Sequence, residues 1–152
     1  KVVNPDFLAR INRQKPQTMQ RLADCWYEGN HASYGRNQHY NDSRYHMLNL
    51  HASFTKGTIE FRLFQLSDPH DGKRGGIHAG EMKAYIQLCL AMSELAKEIA
   101  YASPKPQQTE NEKYAFRCWM LRLGFIGDEF ETAREILLKN MDGNAAWRQA
   151  AC

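Results

Sequence analysis

Only two stretches of this chain alternate apolar and polar residues with the period of a β-strand, and a five-residue connector, 52–56, separates them. The first is Tyr45-His46-Met47-Leu48-Asn49-Leu50-His51, and the second is Gly57-Thr58-Ile59-Glu60-Phe61-Arg62-Leu63-Phe64. In the second, Ile59, Phe61 and Leu63 take one face while Thr58, Glu60 and Arg62 take the other. In the first, Leu48 and Leu50 share a face, and Met47, Asn49 and His51 share the opposite one. The short connector predicts an antiparallel hairpin. A lone hairpin is marginal in water, so helices must cover it or further strands must extend it.

The rest of the chain has helical spacing. Asn4 can cap a helix through Gln14 that starts on Pro5 and carries Phe7, Leu8 and Ile11. Met19, Leu22, Ala23 and Trp26 predict a second helix from about Pro16 to Tyr27. The polar stretch Gly29–Ser43 reads as a loop long enough to carry function, and Gln65–Gly76 reads as another. A long helix is predicted from His78 to Ala102, apolar around much of its girth and therefore central and buried, with Pro104 and Pro106 ending it. Further helices are expected over Asn111–Leu123, closed by Gly124, over Asp128–Met141, and over Asn144–Ala151. The fold class is thus α+β: mostly helical, with an antiparallel hairpin or small sheet packed on a long buried helix.

The chain has 152 residues, which suits a single domain, and its 43% hydrophobic content fills a core. The formal charge of +3 is too small and too dispersed to argue for nucleic acid by itself. No apolar run reaches the length of a membrane span, and there is no signal-peptide pattern. Cys25, Cys89, Cys118 and Cys152 form no CxxC pair; Cys25, Cys89 and Cys118, each among apolar helix-like residues, read as buried free thiols of a reducing cytoplasm. His31, His39 and His70 have no recognisable metal-ligand spacing.

The chemistry-bearing feature is Glu60 and Arg62 on one strand face, with Asn49 and His51 able to point to the same side across the hairpin and Arg44 at its mouth. Phosphoryl chemistry uses such a set. A carboxylate holds Mg²⁺, which prefers oxygen ligands. Arginine grips phosphate bidentately and stabilises charge on the transferring group. The plain alternative is a Glu-Arg pair on a solvated sheet face, with His46 and His51 as ordinary polar strand residues.

Three runs together resemble the amidoligase family of carboxylate-amine ligases. They are Arg44–His51 with Thr55–Phe64, His78–Glu81 with Lys83–Gln87, and Leu121–Phe130 with Thr132–Arg134 and Asn144–Arg148. The resemblance implies a glutamine synthetase-like fold and an ATP- and Mg²⁺-dependent enzyme that forms an amide through an acyl-phosphate. In that wider group an Ile-Glu-x-Arg strand supplies a metal-binding Glu and an Arg at the transfer site. These match Glu60 and Arg62, while Arg44 and Asn49 match an upstream Arg and Asn that contact nucleotide or phosphate. His51 and His78 are candidates for substrate or anion contacts, His78 because the resemblance places the start of its helix near the active site. Glu81 there equally suits the helix dipole alone.

The family also uses a Gly-x-Glu-x-Glu strand to hold metals, and no such strand occurs here. The chain is therefore expected to be the C-terminal part of a catalytic domain, possessing half of the metal cage. Its partners would be small-molecule or peptide carboxylates and amines, with the missing N-terminal half or another protein at the sheet edge. The rival reading is a non-catalytic binding protein that keeps half of the ligase fold. Its partner would be a protein, or nucleic acid held by Arg36, Arg44, Lys73 and Arg74 beside Tyr34, Tyr40 and Tyr45.

Overall fold

The computed structural model describes residues 3–64, 78–105 and 107–147. The expected loop Gln65–Gly76, with Lys73 and Arg74, lies outside them, as does the end of the last expected helix. The chain divides into two compact units, Lys1–Phe64 and Gln65–Cys152. Among the described residues the fold is mostly helical with one two-stranded antiparallel sheet, an α+β arrangement.

The first unit begins with α1 (Pro5–Gln14) and α2 (Met19–Gly29). Asn4 caps α1 by accepting a hydrogen bond from the Asp6 N–H, and Thr18 caps α2 by accepting one from Arg21. The second helix therefore starts three residues later than Pro16, where the threonine rather than the proline sets its beginning. Lys15 leaves α1 in the left-handed conformation, with its N–H on the Ile11 carbonyl. The core consists of Phe7, Ala23, Cys25, Trp26 and Tyr27, with Leu8, Ile11, Leu50 and Phe54 packed against it. Phe7 and Trp26 meet edge to face at 4.9 Å. An indole such as Trp26, which is wholly buried, hides roughly 150–250 Å², worth about 4–6 kcal/mol. The two helices cross closely at Gly29, where a Cβ would lie 2.6 Å from the Phe7 Cα.

The hairpin pairs as predicted but is much shorter. Strand β1 (Leu48–Asn49) runs antiparallel to β2 (Glu60–Phe61), with Leu48 opposite Phe61 and Asn49 opposite Glu60. The Arg62 N–H extends the pairing to the Met47 carbonyl at 2.7 Å. The connector is helical rather than a plain turn: α3 (His51–Lys56) fills it, and Gly57 closes it at φ 73°, where a Cβ would be strained. His51 is thus a helical residue and not a strand residue. The cause is packing, since Leu50 and Phe54, four residues apart on a helix, both reach the Trp26–Tyr27 core.

Much of the stretch between α2 and β1 is tied together by Asn41. The Asn41 amide donates to the carbonyls of Ala32, Tyr34 and Gly35 at 3.0–3.2 Å, and its oxygen accepts from the N–H and hydroxyl of Ser43. A 3-10 turn, Asp42–Tyr45, follows and delivers the chain to β1.

The second unit holds α4 (Ala79–Glu98), α5 (Glu112–Arg122) and α6 (Glu131–Leu138). Helix α4 packs on α6, and Ile136 comes within 3.3 Å of where a Gly80 Cβ would stand. Contrary to the sequence expectation, α4 is not buried around its girth. It buries Ala84 and Leu88, whereas Met82, Ile86 and Leu90 are exposed. These three recur at intervals of four, the spacing of one helix face. Helix α4 also ends at Glu98, short of Ala102. Asn111 caps α5 by accepting from the Tyr114 N–H, while its amide donates to the carbonyls of Asn144 and Trp147. Over 144–147 the chain is not helical, because the Asn144 side chain accepts from the Ala146 N–H and closes a local turn instead. The turn Asp128–Phe130 leads into α6, which ends at Leu138 rather than Met141. Cys25, Cys89 and Cys118 are free thiols, but only Cys25 is buried; Cys89 and Cys118 are half-buried, contrary to the sequence expectation. No described helix is long and apolar enough to cross a membrane.

Candidate active site

The candidate site grows from the short sheet of the first unit. Because Asn49 and Glu60 are directly paired, their side chains leave the sheet on the same side. The Asn49 amide donates to Glu60 Oε2 at 2.5 Å. Arg62, two positions on, keeps its guanidinium on that side as well, with its Nε 4.0 Å from Glu60 Oε1.

That separation distinguishes this pair from an ordinary surface bridge. A closed guanidinium–carboxylate contact is about 2.7–2.9 Å. The unit contains such contacts elsewhere, Arg10–Glu28 at 2.8 Å and Arg36–Asp24 at 2.5 Å. Glu60 and Arg62 stand further apart, with side chains 44% and 34% exposed. Each head retains hydrogen-bonding capacity that the other does not use. Beneath them Asn49 is 2% exposed, and its Oδ1 is buried without a hydrogen-bond partner. Ile59, on the opposite face, is 57% exposed. Phe61 and Leu63 on that face are half-buried, so the apolar face is covered only in part.

Arg44 joins the site from the 3-10 turn. Its NH1 donates to the His39 carbonyl at 2.9 Å, and its own carbonyl accepts from Arg62 NH1 at 3.3 Å. The Arg44 guanidinium lies over the rings of Tyr40 and Tyr45 at 5.2 and 5.7 Å, and that of Arg62 over Tyr45 at 5.3 Å. Arg44 Nε is buried without a hydrogen-bond partner. Among the described residues no ion pair ties Arg44 to a carboxylate.

His51 occupies a different environment from the one its strand alternation suggests. It opens α3, is 4% exposed, and shares a 2.7 Å hydrogen bond between its Nδ1 and the Tyr27 hydroxyl. The Tyr27 hydroxyl also donates to the Arg36 carbonyl at 3.2 Å. Burial pushes the His51 imidazolium below its usual range; the Gln38 backbone opposes this, and the positive Arg44 and His39 add to it. Burial likewise raises the Tyr27 phenol, partly offset by Arg36. His78, in the second unit, is exposed at the N-cap of α4, where its ring folds beside Gly80 and makes no side-chain cap bond.

The structure thus brings Asn49, Glu60, Arg62 and Arg44 together and puts His51 in the core beside them. Sequence reasoning missed two contributors. Tyr45 was visible only as part of a basic-aromatic cluster, although its ring lies against both arginines. Asn41 gave no periodic signal, yet it organises the segment that delivers Arg44.

A family model described as putative amidoligase enzyme matches residues 1–93, which includes every one of these residues. The chain belongs to the amidoligase family. No curated protein and no solved structure matches it.

Within this amidoligase-family chain the donor set can be tested against the Mg²⁺ that the family chemistry implies. Glu60 offers carboxylate oxygens, and the unpartnered Asn49 Oδ1 lies on a side chain bonded to that carboxylate. Hard oxygen donors of this kind suit Mg²⁺, which commonly takes one or two protein ligands and fills its octahedron with water and substrate phosphate. No group of three or more His, Cys, Asp or Glu side chains able to hold a metal occurs among the described residues. The residues present therefore fit a partial cage, open on the ligand side.

Proposed function

We propose that this chain supplies the phosphate-gripping part of an ATP-dependent carboxylate-amine ligase. The observation that carries the proposal is the open Glu60–Arg62 pair, two heads only partly used by Asn49 and the Arg44 carbonyl, on one side of the sheet with Arg44 alongside. Such a ligase moves the γ-phosphoryl group of ATP to a substrate carboxylate oxygen and releases ADP. An amine nitrogen then attacks the acyl carbon, inorganic phosphate leaves, and the amine gives up a proton.

Glu60 and Asn49 Oδ1 would hold Mg²⁺, which when bound would supply charge neutralisation for the phosphates. Arg62 would grip the transferring group through parallel N–H···O bonds as its negative charge spreads over the oxygens. Arg44 would bind the same polyphosphate further along. Asn49 orients Glu60 through the hydrogen bond already made. The buried His51–Tyr27 pair supports the floor beneath rather than touching ligand, and His78 remains a candidate anion contact at the α4 terminus. The glutamine synthetase-like architecture of the whole enzyme belongs to this same proposal.

The test is hydroxylamine trapping. Natural protein carrying this chain, given ATP, Mg²⁺, a panel of carboxylates and hydroxylamine, should form ADP and a hydroxamate with one of them. Arg62→Ala should lower that rate by about 10²–10³-fold, the usual cost of losing one donor to a developing oxyanion. Unchanged turnover in the variant refutes the role given to Arg62. The rival reading of a binding protein rests on the exposure of Tyr34 (92%) and of Tyr40 (73%), the latter beneath the Arg44 guanidinium. It would be favoured by a salt-sensitive mobility shift with single-stranded nucleic acid and no response to Mg-ATP.

A further inference from the structure

We infer that Tyr45 is a positioning residue whose ring holds the guanidiniums of Arg44 and Arg62 as a two-arginine claw for the polyphosphate of a nucleoside triphosphate. The inference rests on the ligase reading and deepens it. Two cations near one another repel, and of the two only Arg62 has a carboxylate in range, Glu60 at 4.0 Å. What both share is one aromatic ring, with Arg62 5.3 Å and Arg44 5.7 Å from its centroid. The negative face of an aromatic ring attracts a guanidinium while leaving its N–H edge free. Such a contact orients the planar fork without consuming the donors that phosphate needs.

The backbone reinforces the pairing. Arg62 NH1 donates to the carbonyl of Arg44 at 3.3 Å, so Arg62 is fixed to the residue preceding Tyr45. Tyr40 continues the stack beyond Arg44 at 5.2 Å and is 73% exposed. The order Tyr40, Arg44, Tyr45, Arg62 thus ends at Glu60, where the Mg²⁺-bound end of a triphosphate would lie. Arg44 Nε, buried and unpartnered, is a donor the protein itself does not satisfy.

Two measurements test this. In the free protein, side-chain NMR should show the Arg44 and Arg62 Nε–H signals displaced by the aromatic rings; Tyr45→Leu should remove the displacement from Arg62 and reduce it at Arg44, which Tyr40 also faces, and Tyr45→Phe should keep both. In calorimetry, wild type should bind Mg-ATP and Mg-tripolyphosphate. Tyr45→Leu should weaken both by about five- to tenfold, the loss of two exposed cation–π contacts. Tyr45→Phe should stay within about twofold of wild type, and Tyr34→Leu, outside the stack, should match it. Wild type that binds neither probe overturns the ligase reading and this inference with it. Wild type that binds, with Tyr45→Leu equal to it and arginine signals unmoved, overturns the inference alone. Equal losses in the Phe and Leu variants assign the effect to the hydroxyl and overturn the role of the ring.

Discussion

Adding one methyl group at Gly29 tests how the first unit is held together. Gly29 is the last residue of α2, and an alanine Cβ there would sit 2.6 Å from the Phe7 Cα and 2.9 Å from its N and Cβ. Real Cβ contacts to backbone need roughly 3.4 Å or more, and none of these atoms is the free end of a side chain, so α1 must move by nearly 1 Å. Overpacking of this kind costs about 1–3 kcal/mol, while alanine regains about 0.5–1 kcal/mol of helix propensity over glycine. The net expectation is a loss of about 1–2 kcal/mol. For a unit of this size each kcal/mol lowers the melting midpoint by about 4–8 °C. Hydrogen exchange over Pro5–Gln14 and Met19–Gly29, read with the thermal midpoint, measures it. Gly29→Ala that melts at or above the wild-type temperature, with unchanged protection in both helices, would refute the close crossing.

Other expected outcomes follow from individual groups. His51 is held neutral by burial, so below its ordinary value of 6.5 the unfolded chain takes up a proton that the folded chain resists. Stability of the first unit should be full above about pH 6.5 and decline as pH falls through it; His51→Phe should flatten the urea-midpoint profile, and a wild-type midpoint equal or higher at pH 5.5 than at pH 7.5 would contradict this. Asn41→Ala removes three carbonyl partners and two donors' acceptor, and should cost about 2–3 kcal/mol while accelerating proteolysis between Asn30 and Ser43. Unaltered proteolysis would show that the loop is ordered by other means.

Much of the scaffold was legible because it depends on local chemistry. Asn4 before Pro5 and Asn111 before Glu112 are capping residues by their own side chains, and both cap in the structure. The antiparallel pairing and the shared side of Asn49, Glu60 and Arg62 follow from a period of two. The ends of the strands do not, because Met47-Leu48-Asn49-Leu50-His51 alternates through a point where the backbone turns helical. Tertiary contact of Leu50 and Phe54 with the Trp26 core decides there, and alternation carries no information about it. The same limit explains α4: an apolar girth says that a helix can be buried, whereas only the placement of α6 says which side is. The bonding of Asn41 and the Tyr45 stack join side chains across turns without periodicity, so no sequence window contains their signal.

The account stands on Glu60 holding a divalent cation beside Arg62, and titration calorimetry of ATP with and without Mg²⁺ addresses that directly. Wild type should bind ATP more tightly with Mg²⁺, and Glu60→Gln should bind equally with or without it, while Arg62→Gln should weaken both. Wild type and Glu60→Gln showing the same response to Mg²⁺ would contradict the central assignment.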